Sequence, residues 1–153
     1  VLLPAGGSEL KRIAPLFAFF DVDPSRVKLL GTTLWDETAD LSLEPALVGA
    51  WYVAPAPKGV REFTEKFKKH YGYKPPRLAT LGYDAMLVAA ALSQTAQSDQ
   101  HPAFDIHDPR GFIGVDGIIR LLPNGTNERG YAVIEVGKSG PLVVDDAPLK
   151  FVY

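Results

Sequence analysis

The sequence predicts an α/β fold built on a parallel sheet, and three observations predict it. Residues 1–31 read as strand, helix and strand. Residues 61–93, REFTEKFKKHYGYKPPRLATLGYDAMLVAAALS, carry two helical patterns separated by Pro75-Pro76. From Gly111 onward, short apolar runs are punctuated by Asn124-Gly125, the signature of paired strands. A strand that reaches the next strand through a helix lies parallel to it with a right-handed crossover, so residues 1–31 form one such unit.

Taken in order, Val1–Ala5 is a short apolar run bounded by Gly6-Gly7, which marks a buried strand. Ser8 is placed to cap a helix and Glu9 complements its positive end. Leu10, Ile13, Ala14, Phe17 and Phe20 recur at helical spacing and form the buried stripe of a helix ending near Asp21. Asp23-Pro24-Ser25 is a turn, and Val27–Gly31 is the second strand. Residues 32–46 are a polar loop or short helical turn. Val48–Pro55 is a third strand, closed by the proline-rich APAP at 54–57, a boundary or hinge.

The helix pair follows. Val60, Phe63, Phe67 and Tyr71 form one apolar stripe among Arg61, Glu62, Glu65, Lys66, Lys68 and Lys69, so the first helix lies on a surface. Gly72 closes it in a left-handed conformation, and Pro75-Pro76 forbids its continuation. In the second helix Leu78, Leu81, Ala85, Val88 and Leu92 mark one face, while Met86, Ala89, Ala90 and Ala91 leave almost no charged face opposite. This helix is expected to be buried nearly all round, and the rest of the chain holds too little apolar helical surface to cover it. Residues 94–110 are a polar connection. Gly111–Asp116, Gly117–Leu122 and Arg129–Val136 then read as strands, the last two flanking the Asn124-Gly125 turn, and the tail from Pro141 adds one more.

The composition is that of an ordinary globular protein: 153 residues, 46% hydrophobic, 22% charged, with a net charge of -2. That balance gives no reason to expect nucleic acid or an anionic membrane as partner. The absence of cysteine excludes thiol catalysis, thiolate metal sites and disulfides. No apolar run reaches the roughly 20 residues of a membrane span. The chain opens at Val1 inside an apolar run, and its only methionine is Met86, so it is expected to be an excised segment rather than a processed mature protein.

Ligands of open parallel sheets sit beyond the carboxyl ends of the strands, here Ala5, Gly6, Gly7 and Ser8 together with Gly31, Thr32, Thr33, Leu34, Trp35 and Asp36. On one reading these loops wall a cleft in which helix amides, hydroxyls and an indole face a small ligand. On the other, Gly6-Gly7 merely permits a tight turn and Trp35 packs against the sheet. Gly6-Gly7-Ser8 matches neither dinucleotide nor phosphate-loop spacing, so no nucleotide cofactor is expected. His101, Asp105, His107 and Asp108 crowd together, but on a proline-marked loop with no ligand spacing, and no metal site is assigned to them. No nucleophile elbow or zinc motif is present, and Asp36-Glu37 is a solvated pair rather than an acid and base, so no catalytic residue is assigned and the protein is expected not to be an enzyme. Asn124-Gly125-Thr126 fits a glycosylation pattern that its turn role already explains.

These segments carry a resemblance. Gly31–Asp36, GAWYVAPAP, the helix pair with Tyr83-Asp84-Ala85, and Gly111–Gly117 leading to the Asn-Gly turn are similar to the C-terminal part of type I periplasmic binding proteins. Within that superfamily the chain most resembles LppC-like lipoproteins, the penicillin-binding protein activators, relatives of the leucine/isoleucine/valine-binding proteins of ABC transporters. The resemblance implies a Rossmann-like parallel sheet that is incomplete in this chain, two lobes joined by three hinge crossings, and a ligand held between them. Residues 1–57 and 111–153 would belong to the C-terminal lobe and 58–110 to the N-terminal lobe, whose missing half would supply the cover for the second helix. The loops matching Ala5–Ser8 and Thr32–Trp35 would line the pocket. Thr33 falls where amino-acid binders place an acidic group, with Asp36 a few residues later. The resemblance thus implies a periplasmic location, with a lipid anchor on the parent protein, and either of two partners: a cell-wall synthase regulated by the protein, or a small polar solute presented to a transporter. A segment with uncovered strand edges and an uncovered helix is also expected to self-associate.

Overall fold

The structure, a computed structural model, describes residues 1–23, 26–38, 40–96 and 105–151. Pro24-Ser25 of the expected turn, and His101 of the histidine-aspartate loop, lie outside the described residues. The elements in chain order are β1 (Leu2–Leu3), α1 (Gly7–Phe19), β2 (Leu30–Gly31), three short 3-10 turns (Thr33–Trp35, Leu41–Leu43, Pro45–Leu47), β3 (Trp51–Ala54), α2 (Pro57–Tyr71), α3 (Ala79–Ala96), β4 (Phe112–Gly114), β5 (Gly117–Leu121), β6 (Asn127–Arg129), β7 (Ala132–Gly137) and β8 (Gly140–Asp145). They divide into two compact units, Val1–Ala54 with Ala132–Asp146, and Pro55–Tyr131 with Ala147–Tyr153. The chain therefore passes from one unit to the other three times.

In the first unit the sheet order is β1-β2-β3-β7-β8. β1, β2 and β3 are parallel, as the strand, helix, strand reading of residues 1–31 requires. β7 runs antiparallel to β3, and β8 antiparallel to β7 with a register shift at Val133/Ile134. Alternation sets the core: Tyr52 and Ala54 on β3 face inward with Ala132, Ile134 and Val136 on β7, against Leu10 and Ala14 of α1, Leu41, Leu47 and Trp35. On the other face the Trp51 indole donates to the Glu135 carboxylate at 2.8 Å, and Lys28 lies 4.7 Å from the Trp51 ring centre.

Two details of α1 differ from expectation. Its N-cap is Gly6, in extended geometry, and Ser8 lies inside the first turn. The reason is tertiary: a Cβ at Gly6 would come within 2.8 Å of the Leu34 Cβ, so the backbone there must be bare. Phe20 lies beyond the helix and is exposed, because Asp21, at φ 55°, turns the chain away.

In the second unit α2 ends as expected, with Gly72 at φ 80° accepting the left-handed cap position. β4, β5 and β6 form a separate antiparallel sheet. The expected strand from Arg129 to Val136 is therefore two strands. β6 pairs with β5 around the Asn124 turn, the chain breaks at Gly130-Tyr131, and β7 joins the other sheet. Residues 111–131 consequently fall in the same compact unit as the helix pair. The second helix is left partly uncovered within this chain, as the shortage of apolar helical surface to cover it predicts. Leu78, just before α3, and Met86 on it are 70% and 69% exposed, because the β4–β6 sheet meets only the face carrying Asp84 and Val88.

Candidate functional site

Because β1 and β2 are parallel and adjacent, the loops that leave them emerge at one edge of the sheet. They are tied to each other. The Trp35 indole donates to the Ala5 carbonyl at 3.0 Å. The Gly7 amide donates to the Thr38 hydroxyl at 2.8 Å, and that hydroxyl donates onward to the Leu34 carbonyl at 3.2 Å. Thr32 caps the following 3-10 turn by accepting the Leu34 amide at 3.4 Å. Ala5, Gly6, Gly7, Thr32 and Trp35 are thus brought together, and their polar groups are largely spent on holding the wall in shape.

What remains outward is small. Ser8 and Thr33 are exposed, each carrying a hydroxyl. The first intrahelical bond of α1 is Leu10 N–H to the Gly6 carbonyl at 3.3 Å, which leaves the Ser8 and Glu9 amides without an intrahelical acceptor. Trp35 contributes differently from the ligand-facing indole expected. Its side chain has no exposed surface, its ring lies 6.1 Å from that of Tyr52, and a Cβ on Gly31 would stand 2.2 Å from its ring. Its ring is the packed floor beneath the wall, the second of the two readings given above.

A second polar cluster, in the other unit, went unnoticed in the sequence. The Asp84 carboxylate accepts the amides of Val115 at 2.7 Å and Asp116 at 3.0 Å. Asp116 in turn accepts from Arg77 at 3.1 Å and from the Thr80 hydroxyl at 3.1 Å. Thr80, Asp84 and Asp116 are all buried. The signals were Gly114 and Gly117 flanking Val115-Asp116: a Cβ at Gly114 would lie 2.3 Å from the Asp84 carboxyl carbon. This cluster fastens the β4–β5 turn to α3, and its donors and acceptors are matched to each other rather than offered to a ligand.

The acidic loop residues are similarly occupied. Asp105 accepts the His107 amide at 3.0 Å, the His107 ring lies 3.3 Å from the Leu121 carbonyl, and Asp108 is chelated by Arg110, whose guanidinium holds the Asp108 carboxyl below the usual carboxylate range. No cluster of three metal-ligating side chains occurs among the described residues. Asn124 accepts from both the amide and the hydroxyl of Thr126, a turn role. Among the described residues no helix is long and apolar enough to cross a membrane.

No protein-family profile matches the chain and no curated protein sequence matches it. Solved structures do. A Rhodospirillum rubrum protein assigned to branched-chain amino acid ABC transport superposes with a TM-score of 0.66 at 21% identity over 88% of this chain. A Rhodopseudomonas palustris ABC transporter solute-binding protein in complex with benzoate gives 0.56 at 16% identity over 97%. Haemophilus influenzae LpoA gives 0.60 at 14% identity over 95%. The chain spans 42%, 43% and 26% of those three proteins. These likenesses define the fold: the chain carries part of a type I periplasmic binding protein fold.

Proposed function

We propose that the chain is part of a non-enzymatic, two-lobed ligand-binding protein of the bacterial envelope, and that residues 5–8 and 32–35 supply one wall of its site for a small polar solute. The observation that carries this reading is the Ala5–Ser8/Thr32–Trp35 wall. It is bound internally by the Trp35, Gly7 and Thr38 hydrogen bonds, and it leaves Ser8 and Thr33 exposed and the Ser8 and Glu9 amides without an intrahelical acceptor. Preformed donors cost little to order when a solute binds. In this reading the first unit belongs to the C-terminal lobe and the helix pair to the N-terminal lobe. The likenesses to transporter solute-binding proteins support it.

The second reading, favoured by the sequence resemblance, is an envelope lipoprotein that regulates a cell-wall synthase. It is supported by the likeness to Haemophilus influenzae LpoA and by the exposed Tyr71, Tyr73, Tyr83 and Met86 of the second unit, a surface rich in the residue types of protein interfaces.

A thermal-shift screen of the two-lobed protein against amino acids, aromatic acids and peptidoglycan fragments separates the two. A solute at 100 times its dissociation constant adds about 2.7 kcal/mol of stability. The solute reading expects a dose-dependent shift that weakens in Ser8→Ala and Thr33→Ala. No shift with any solute, in protein that remains folded, supports the regulator.

A further inference from the structure

The sequence has two asparagines, Asn124 and Asn127, and Asn124 is followed by glycine, whose backbone nitrogen no side chain shields. In a flexible chain the nitrogen of such a glycine attacks the side-chain carbon Cγ of the asparagine. A Cγ–N bond to the main chain forms, the bond to the side-chain nitrogen breaks, and ammonia leaves a cyclic imide behind. Water then opens the imide at one of its two carbonyls, giving aspartate or isoaspartate. We propose that Asn124 is a latent modification site of this kind, which the folded β5–β6 hairpin holds shut and which reacts only when the hairpin opens.

Both reacting groups are held, and held apart. The Gly125 amide donates to the Leu122 carbonyl at 2.9 Å, which closes a turn with Pro123 and Asn124 at its centre. Proline fixes a negative φ, Asn124 does not have a positive one, and Gly125 follows at φ 83°. That combination is a type I turn leading into a left-handed residue, and in it ψ of the second central residue is about 0°. At that value the Gly125 nitrogen eclipses the backbone nitrogen of Asn124 and stands away from its side chain. Rotating it onto Cγ breaks the bond to Leu122. The side chain is fixed as well: Oδ1 of Asn124 accepts the Thr126 amide at 3.0 Å and the Thr126 hydroxyl at 2.7 Å. The Leu122 amide, donating to the Thr126 carbonyl at 2.9 Å, ties the two strands just outside the turn. Asn124 is exposed, so geometry rather than access to water limits the reaction. The two products differ in consequence. Aspartate keeps the accepting oxygen, whereas isoaspartate routes the main chain through Cβ and Cγ and lengthens it by one carbon, so the Leu122 bonds to Gly125 and Thr126 cannot both re-form in register. Each such conversion makes an opening of the hairpin permanent.

The intact 153-residue chain is incubated at neutral pH across a urea series that spans its unfolding, and Asn124 is followed by peptide mapping that separates aspartate from isoaspartate. Loss of Asn124 is expected to be at least about ten-fold faster in the unfolded than in the folded chain, with a rate that rises in step with the open fraction. Asn127, followed by Glu128, is the internal comparison and should react more slowly than Asn124 once the chain is unfolded. Thr126→Val removes the hydroxyl donor and keeps the branched shape, and it should speed the loss in the folded chain by about three-fold, the effect of one hydrogen bond on opening. Equal rates in the folded and unfolded chain, or an Asn124 that stays intact in urea, would overturn the proposal. So would a Thr126→Val chain that circular dichroism shows folded and that loses Asn124 no faster than the parent. The urea series needs only the parent chain and decides the matter should Thr126→Val not fold.

Discussion

The carboxylate of Asp84 accepts the backbone amide of Asp116 at 3.0 Å, and both residues are buried. Asp84 sits in the middle of α3, and Asp116 in the turn between β4 and β5, so one carboxylate docks a hairpin on a helix. The adjacent Val115 amide shares it. Asp84→Ala would leave the Val115 and Asp116 amides without their acceptor. We expect it to cost about 3 kcal/mol, read as a lower urea midpoint. Gly114→Ala should be comparably disruptive, because the added methyl would overlap the same carboxylate, which could make way only by giving up its bonds to the Val115 and Asp116 amides. A loss below about 1 kcal/mol in both variants would show that the hairpin stays docked without this bond.

Trp35 divides the binding function of the β1–β2 loops from their construction. Its indole bonds to Ala5 and its ring fills the space above Gly31, so it supports the wall from below. Trp35→Phe should lose roughly 1–2 kcal/mol through the orphaned Ala5 carbonyl and the volume deficit, and Trp35→Ala roughly 3–5 kcal/mol. Thr33→Ala, exposed and without a cross-loop bond, should change stability by less than about 0.5 kcal/mol. Chemical denaturation of the three variants checks the order.

The strands and helices of this chain were legible wherever one local pattern decided them. The stripe through Leu10 and Ala14, the Gly72 stop and the Asn124 turn stand where the sequence placed them, while the run 1–5, expected as a buried strand, is a strand only at Leu2–Leu3 and buries Leu3 alone, with Val1 and Leu2 exposed. The two loops expected at one edge of the parallel strands do meet there, Gly6 against Leu34 and Trp35 against Ala5. What escaped depends on partners distant in sequence. Alternation along Arg129–Val136 tells which side chains share a face but not which strand they pair with, so the transfer between sheets at Gly130-Tyr131 was invisible. The role of Asp84 could not be read locally, because the amides its carboxylate accepts, those of Val115 and Asp116, lie 31 and 32 residues away in the chain. Trp35 is polar at one atom and apolar elsewhere, and only the position of Gly31 beneath it decides that it packs rather than faces a ligand.

The exposed apolar surface leads to an association prediction. α3 presents Leu81, Tyr83, Met86 and Leu87, and the edge strand β8 presents Leu142, Val143 and Val144 to solvent. An uncovered helix face and an unpaired strand edge both recruit further chains. The 153-residue chain alone is expected to elute above its 16.6 kDa mass, with concentration dependence, in light scattering. Met86→Lys should reduce association through the helix face and Val143→Lys association through the strand. A monomer at all concentrations would mean that neither surface is adhesive enough to matter.

Tyr52 makes the alkaline limb of stability informative. Burial, and secondarily the nearby Asp36 carboxylate, push its phenol from the ordinary value of 10.0 up to about 12. The folded protein thus holds this proton more tightly than the unfolded chain does. The stability contributed is fully present below the unfolded value near 10 and is lost as pH rises through about 12. Tyr52→Phe cannot ionise, so its stability should fall less steeply across that window than that of the parent, whose other tyrosines remain in both proteins. Asp36→Asn should lower the Tyr52 value without restoring it to 10, because burial is the larger cause and is unchanged. Tyrosinate absorbance during a pH titration of the folded protein, compared between parent and Tyr52→Phe, isolates the one phenol. A titration of that phenol at its ordinary value would show that water and solutes reach it freely.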